Sequence, residues 1–397
     1  MAIRIVLYSH DSTGLGHIRR NLALAHALTA GLEHESVTGM LVAGRPEATR
    51  FAAPQAWDWL VMPGVRHTPA GYAPRALDLD MGSAASLRGS VFRSAMRSFR
   101  PDLLIIDRHL LGVSRELEPA LQMLREEQPE CRIVLGLREV LDAPDAAAAE
   151  WSALGGGTAL RPLLDAVWVY GDPGIHNLTL DGQLPTALHD LVTHTGYLAT
   201  GRVAGHRHDV EEPYVLTTVG GGSDGTDLAC AAAAAPVPAG YRHLVVTGPQ
   251  MSTSDRMRVT AQARPQTSVV RRVPDALALM QRAAAVICMA GYNTICEVMS
   301  TSSPALIAPR IQRRAEQQIR AKALSAVGAI EMLGPRQVDP ATIGDWLSAN
   351  VGRSVHRDHI DLDGLLRVPA LAAGLLAHDR EHITAEGLRR GGERVAV

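Results

Sequence analysis

Twice in this chain a short apolar run enters a glycine-rich turn and then a helical stretch, and the two copies stand about 200 residues apart. The first is "IRIVLYS" (3–9), "HDSTGLGH" (10–17) and "IRRNLALAHALTAG" (18–31). The second is "YVLTTV" (214–219), "GGGSDG" (220–225) and "TDLACAAAAA" (226–235). A buried strand feeding a helix through a tight turn packs as one step of a parallel α/β layer. Two such openings in 397 residues predict two α/β units.

The rest of the pattern agrees. Further strands are expected at 39–43, 103–107, 132–137 and 166–170, with "TGYL" (195–198) as one more short strand or its exit. The second unit continues through "HLVVTG", "SVVRRV", "AAVICMA" and "PALIAP" (304–309). Between the units, "ATGRVAGHRHDVEEP" (199–213) reads as a polar, glycine-rich linker. The expected division is 1–205, 206–375 and a helical tail, 376–397, whose end "EGLRRGGERVAV" frays. Residues 66–95 are expected to form a variable loop over the first unit.

Composition narrows the function. A formal net charge of −2 gives no reason to expect a nucleic-acid partner. Cys131, Cys230, Cys288 and Cys296 lack CxxC spacing and read as free thiols in a reducing compartment. The start of the chain lacks a basic flank and cleavage site, and no apolar run reaches transmembrane length. A cytoplasmic protein is expected, with peripheral membrane contact left open.

Glycine turns before helices let backbone N–H groups approach an anion. Gly14 and Gly16 are expected in such a phosphate or acceptor loop; the dinucleotide pattern G-x-G-x-x-G would begin at Gly14, but Arg19 occupies its last position. The second strand also lacks the acidic residue that would hold a ribose. "GGGSDG" lacks the lysine of a P-loop. Two doubly wound units instead place a ligand in the cleft between them, at the carboxyl ends of both sheets.

"MAGYNTICEVMS" (289–300) carries the sharpest question, because Glu297 lies in an otherwise apolar stretch. Thr294 and Glu297 have capping-box spacing, the local structural reading. The functional reading puts a diphosphate at the helix start and a ribose on the carboxylate one turn later. Glu316 and Gln317, opening the next helix in "RRAEQQIRAKAL" (313–324), either face solvent or read sugar hydroxyls.

Taken in order, "TGLGH", "GGGSDG", "GYNTICEV" and "RRAEQQ" resemble the GT-B fold glycosyltransferases, closest to family 28 with its peptidoglycan N-acetylglucosaminyltransferase. "YSHDSTGLGHIRR", "GLREVLDAP", "VWVYGDP" and "TGYL" look like a bacterial branch of predicted glycosyltransferases, and the likeness spans about residues 3–335. It implies two Rossmann-like domains facing a central cleft. It also implies donor contacts at Gly221, Gly222, Ser223, Arg272, Val273, Gly291, Asn293, Thr294, Glu297, Glu316 and Gln317.

An inverting transfer needs a base for the acceptor hydroxyl and charge stabilisation for the leaving group. His17 is the leading base, and the related family keeps a histidine there; Asp11 and Asp107 are rivals or orienting partners. No D-x-D pair stands where a metal would be held, and "HRH" (206–208) lacks zinc spacing. The expectation is a metal-independent glycosyltransferase without cofactor, with a UDP-sugar or other nucleoside-diphosphate sugar as co-substrate. The alternatives are a nucleotide-sugar 2-epimerase or hydrolase of this fold, or a non-catalytic nucleotide-sugar-binding protein. Glu316 at the first position of the sugar-reading pair leaves the donor sugar open. The acceptor, a small molecule, glycan or lipid-linked group, is not specified.

Overall fold

The computed structural model describes residues 2–10, 14–32, 35–68, 71–203, 212–310 and 314–377. Its first half forms β1 (Ile3–Tyr8), β2 (Val37–Ala43), β3 (Trp57–Val61), β4 (Val65–Thr68) and β5 (Gly71–Pro74). It continues with β6 (Leu103–Asp107), β7 (Arg132–Arg138), β8 (Ala166–Tyr170) and β9 (Val192–His194). Seven of these strands make a parallel sheet ordered β3-β2-β1-β6-β7-β8-β9. The second half forms β10 (Tyr214–Thr218), β11 (Arg242–Val246), β12 (Thr267–Val270), β13 (Ala285–Cys288), β14 (Ala305–Ile307) and β15 (Glu331–Met332). These six are also parallel, in the order β12-β11-β10-β13-β14-β15.

Both sheets are therefore doubly wound, as the repeated opening predicts. Strands such as β6 and β8 are buried at every residue, because a parallel sheet is covered on both faces and has no use for polar alternation. Each order reverses once, between β1 and β6 and between β10 and β13. The carboxyl ends at those two reversals are where this topology leaves a crevice. The core does not stop at the domain boundary. One apolar cluster runs from Leu7 and Trp168 in the first unit through Tyr197 to Leu216 and Tyr292 in the second.

One open expectation is decided and another is overturned. The last strand of the first sheet is Val192–His194, so "TGYL" (195–198) is its exit, with Leu198 in an isolated bridge to Asp363. Residues 66–95 are not a loop but the antiparallel β4–β5 hairpin followed by a helix, Met81–Phe99. That helix is set by Asp80, whose carboxylate accepts from Ser83 N at 2.9 Å, and by a buried stripe through Ala85, Arg88, Phe92 and Met96. Its glycines and serines hide this stripe from a pattern reading. The edge strand β3 lies outside the strands expected from the sequence, because only Trp57 in "WDWLV" is buried.

Residues 364–377 are helical and return to the first unit, where Val368 and Ala372 join the cluster containing Leu24 and Leu28. The closing stretch 386–397 and "HRH" (206–208) lie outside the described residues. Among those described, no helix is long and apolar enough to cross a membrane. Cys131, Cys288 and Cys296 are buried free thiols and Cys230 is half-buried.

One buried histidine belongs to the fold rather than to any site. His243 on β11 meets Thr217 Oγ1 at 2.7 Å, and burial pulls its pKa down to about 4. The unfolded chain takes up this proton near the ordinary value of about 6.5, so the stability present above that pH is lost progressively as pH falls toward about 4. The expected loss is up to about 3 kcal/mol. Melting curves between those pH values should flatten in His243→Gln; an unchanged slope would remove His243 as the cause.

Candidate active site

The first unit brings its chemistry to the β1–β6 reversal. The helix Gly16–Gly31 starts directly after the glycine turn and places His17 and Arg20 over Asp107, the last residue of β6. His17 Nδ1 lies 3.0 Å from Asp107 Oδ2. Arg20 donates to the same carboxylate through Nε at 3.0 Å and through Nη2 at 2.8 and 2.6 Å. Burial opposes ionisation of Asp107, but Arg20 and His17 outweigh it and bring the pKa to about 2. Asp107 is thus a fixed anion. Burial pushes the His17 imidazole below its usual value, with Asp107 pulling the other way, so the ring is neutral near pH 7. Its side chain is 24% exposed while that of Asp107 is 0%, so His17 alone of this pair is within reach of a substrate. With Nδ1 donating to Asp107, Nε2 is left as a proton acceptor.

Two more imidazoles line this end. His10, just after β1, packs against His109 with centroids 4.0 Å apart and lies 6.0 Å from His17. Its Nε2 meets the Tyr72 hydroxyl of the hairpin at 3.0 Å. Burial first, then His17 for His10 and His10 for His109, holds both rings well below the usual histidine range. Asp11 lies outside the described residues.

The second unit answers at the β10–β13 reversal. Gly220, Gly221 and Gly222 follow β10, and Gln250 N donates to Gly221 O at 2.8 Å. Gly222 has φ +90°, and a Cβ there would sit 2.2 Å from Thr247 O, so no other residue fits the turn. Ser223, beside this turn, hydrogen-bonds to Asp224. Arg272 and Val273 follow β12, the arginine exposed and the valine packed against the core.

The helix Tyr292–Met299 begins after β13 with Gly291 as its N-cap and no side-chain cap. This overturns the capping reading of Thr294 and Glu297. The helix starts two residues before Thr294, so Glu297 is too deep to reach the cap. Instead the Glu297 carboxylate, 3% exposed, pairs with Arg19 of the first helix, and Arg202 Nη1 stands 3.7 Å away. Asn293 Nδ2 donates to Gly16 O at 2.7 Å, joining the two helix starts across the cleft. Gly14 lies just ahead, in the N-domain turn.

Glu316 and Gln317 open the helix Glu316–Ala326, both buried. Gln317 Oε1 accepts from Arg310 N at 3.0 Å, and Glu316 pairs with Arg138 Nη1 at 2.5 Å and Arg310 Nη2 at 3.5 Å. Burial would raise the Glu316 carboxyl, but Arg138, Arg320, Arg310 and Arg314 hold it below its usual value. The solvated-face reading fails for both residues. Burial and the neighbouring arginines bring Arg138 down to about 10, so it remains a cation.

Sequence reasoning missed the arginines that join the units. Arg320 grips Glu139 with Nε at 2.6 Å and Nη2 at 3.0 Å, both side chains wholly buried. Tyr292 lies between Arg20 and Arg320, whose guanidinium carbons are 5.3 and 5.5 Å from its ring centre. The available signal was position: Arg138 and Glu139 stand at the carboxyl end of a buried strand, inside "GLREVLDAP".

Two doubly wound domains that meet at the carboxyl ends of their parallel sheets are the arrangement of the GT-B class. Known structures agree on the fold. MurG of Acinetobacter baumannii aligns over 97% of this chain and 100% of its own, at 14% identity and a TM-score of 0.53. The glycosyltransferase VinC, solved with dTDP, aligns over 98% and 100% at 14% identity and a TM-score of 0.57. Phytolacca americana UGT2, complexed with UDP-2-fluoro-glucose and pterostilbene, aligns over 95% and 94% at 13% identity and 0.56. No curated protein matches the sequence. Residues 216–353 match the model of the Glycosyltransferase family 28 C-terminal domain. The match and the fold support a glycosyltransferase of the family-28-like GT-B type, as the ordered motifs imply.

Proposed function

We propose that this chain transfers a sugar from a nucleoside-diphosphate sugar, a UDP-sugar in the first instance, to an acceptor hydroxyl, with inversion and without a metal. The observation that carries the reading is the His17–Asp107–Arg20 group facing the uncapped start of the helix Tyr292–Met299, the two joined by the Asn293–Gly16 hydrogen bond. His17 Nε2 takes the proton of the acceptor hydroxyl while that oxygen attacks the anomeric carbon. The bond to the diphosphate breaks on the opposite face, and its electron pair leaves with the phosphate oxygen. N–H groups at Gly291, Asn293 and Thr294, the turn at Gly221–Ser223, and the arginines around Glu316 supply the positive field that this leaving group needs. Glu297 accepts the ribose hydroxyls, Glu316 and Gln317 read the sugar, and backbone near Arg272 and Val273 meets the base.

A thermal-shift and calorimetric panel of nucleoside-diphosphate sugars tests this. A UDP-sugar should stabilise wild type and bind Glu297→Gln about tenfold or more weakly, the worth of hydrogen bonds to a charged group. Transfer should survive EDTA and require an acceptor; sugar release that ignores every acceptor would favour an epimerase or hydrolase. No response to any nucleotide sugar would sink the donor assignment.

A further inference from the structure

The Arg19–Glu297 pair crosses the cleft at the carboxylate expected to hold the donor ribose, and nothing in the proposed chemistry uses Arg19. The two partners are unequal. Glu297 is 3% exposed and fixed within its helix, whereas the Arg19 side chain is 37% exposed and reaches over it from the first turn of Gly16–Gly31. Arg19 occupies Glu297 Oε1, so a ribose cannot reach that oxygen while the guanidinium holds it. Arg202 lies beneath, 7% exposed, with Nη1 3.7 Å from Glu297 Oε1 and Nη2 donating to Asn293 Oδ1 at 3.2 Å. Glu297 therefore keeps a cation beside it when Arg19 leaves, which avoids the cost of stranding a buried charge.

The place to which Arg19 can move is equally defined. Asn293, at the start of the helix, is about one turn from Glu297, a rise of about 6 Å. Its side chain already touches Gly16 O, in the same helical turn as Arg19. The free N–H groups of that helix start are where an anion would settle, and a guanidinium forms paired hydrogen bonds to phosphate oxygens.

We propose that Arg19 exchanges partners when donor binds: it covers Glu297 in the empty cleft, yields that carboxylate to the ribose, and moves its charge onto the diphosphate. The acceptor-side domain thereby contributes a cation to the leaving group only when a nucleotide is present. This rests on the proposed donor site, and it assigns to Arg19 opposite effects on the two parts of the ligand.

Calorimetry with uridine and UDP, and with the thymidine and guanosine pairs in parallel to allow for the base, reads these effects separately. In Arg19→Met the nucleoside should bind several-fold more tightly, because no ion pair must be broken. The gain in affinity from adding the diphosphate should shrink about tenfold, the worth of a charge-assisted hydrogen bond. Arg19→Lys should keep part of that gain. Arg19 is surface-reaching, so a melting curve suffices to confirm folding. A diphosphate gain equal to wild type in Arg19→Met, or weaker nucleoside binding, would overturn the exchange alone. Wild type that binds none of these nucleotides would sink the donor site and the exchange together.

Discussion

His17→Ala should lower kcat about 10²–10⁴-fold, the usual worth of a positioned general base, and leave donor affinity nearly intact. Apart from Arg19, the donor's proposed contacts lie on the other domain, while the ring of His17, the proposed base, is fixed on Asp107. The pH profile gives an independent check. Burial lowers the His17 pKa, so the base form persists below the ordinary imidazole value of about 6.5. The rate should stay flat down to that pH and fall only beneath it, and the acid limb should vanish in the residual activity of His17→Ala. Asp107→Asn should also lose rate, since the amide cannot hold both His17 and Arg20 as a carboxylate does. That variant carries a folding cost as well, because Arg20 is buried and would lose its counter-charge. Comparing the two therefore requires assays well below both melting points. Near-wild-type kcat in His17→Ala would end the base assignment.

What could be read in advance followed from periodicity and position. Apolar runs bounded by glycine gave nearly all the central strands, because a strand covered on both faces must be continuously apolar. His17 and Asp107 were legible for the same reason: a polar residue at the end of such a run has only the crevice to face. The edges were harder. Trp57–Val61 and Glu331–Met332 are half-covered, and their patterns resemble loops. Glu297 was legible as an anomaly, but its partners were not. Arg19 is 278 positions away in the chain, and Arg320 is 181 from Glu139. No local pattern encodes a pairing that exists only after two separate sheets have docked.

Glu139→Ala should destabilise the protein by about 3–5 kcal/mol, the cost of leaving one partner of a buried ion pair uncompensated. Arg320 has no exposed atoms with which to recover water, and besides Glu139 it donates to Ala290 O at 3.0 Å. Burial works against its charge, yet Glu139 beside it keeps the guanidinium pKa above the usual value. If the pair serves stability alone, replacing both residues by methionine should recover most of the loss, since two apolar side chains can fill such a site at little cost. Its placement predicts more than that. Glu139 follows β7 at the mouth of the first sheet, and Arg320 lies on the helix that carries Glu316 and Gln317. The same guanidinium stacks on Tyr292, at the start of the helix proposed to hold the diphosphate. The pair thus ties together the elements that carry the proposed base and the proposed donor site. The double variant should regain its melting temperature and nucleotide affinity but not its transfer rate, because a small misplacement of reacting groups costs rate steeply. Full recovery of kcat alongside stability would show that the pair only fills the interface.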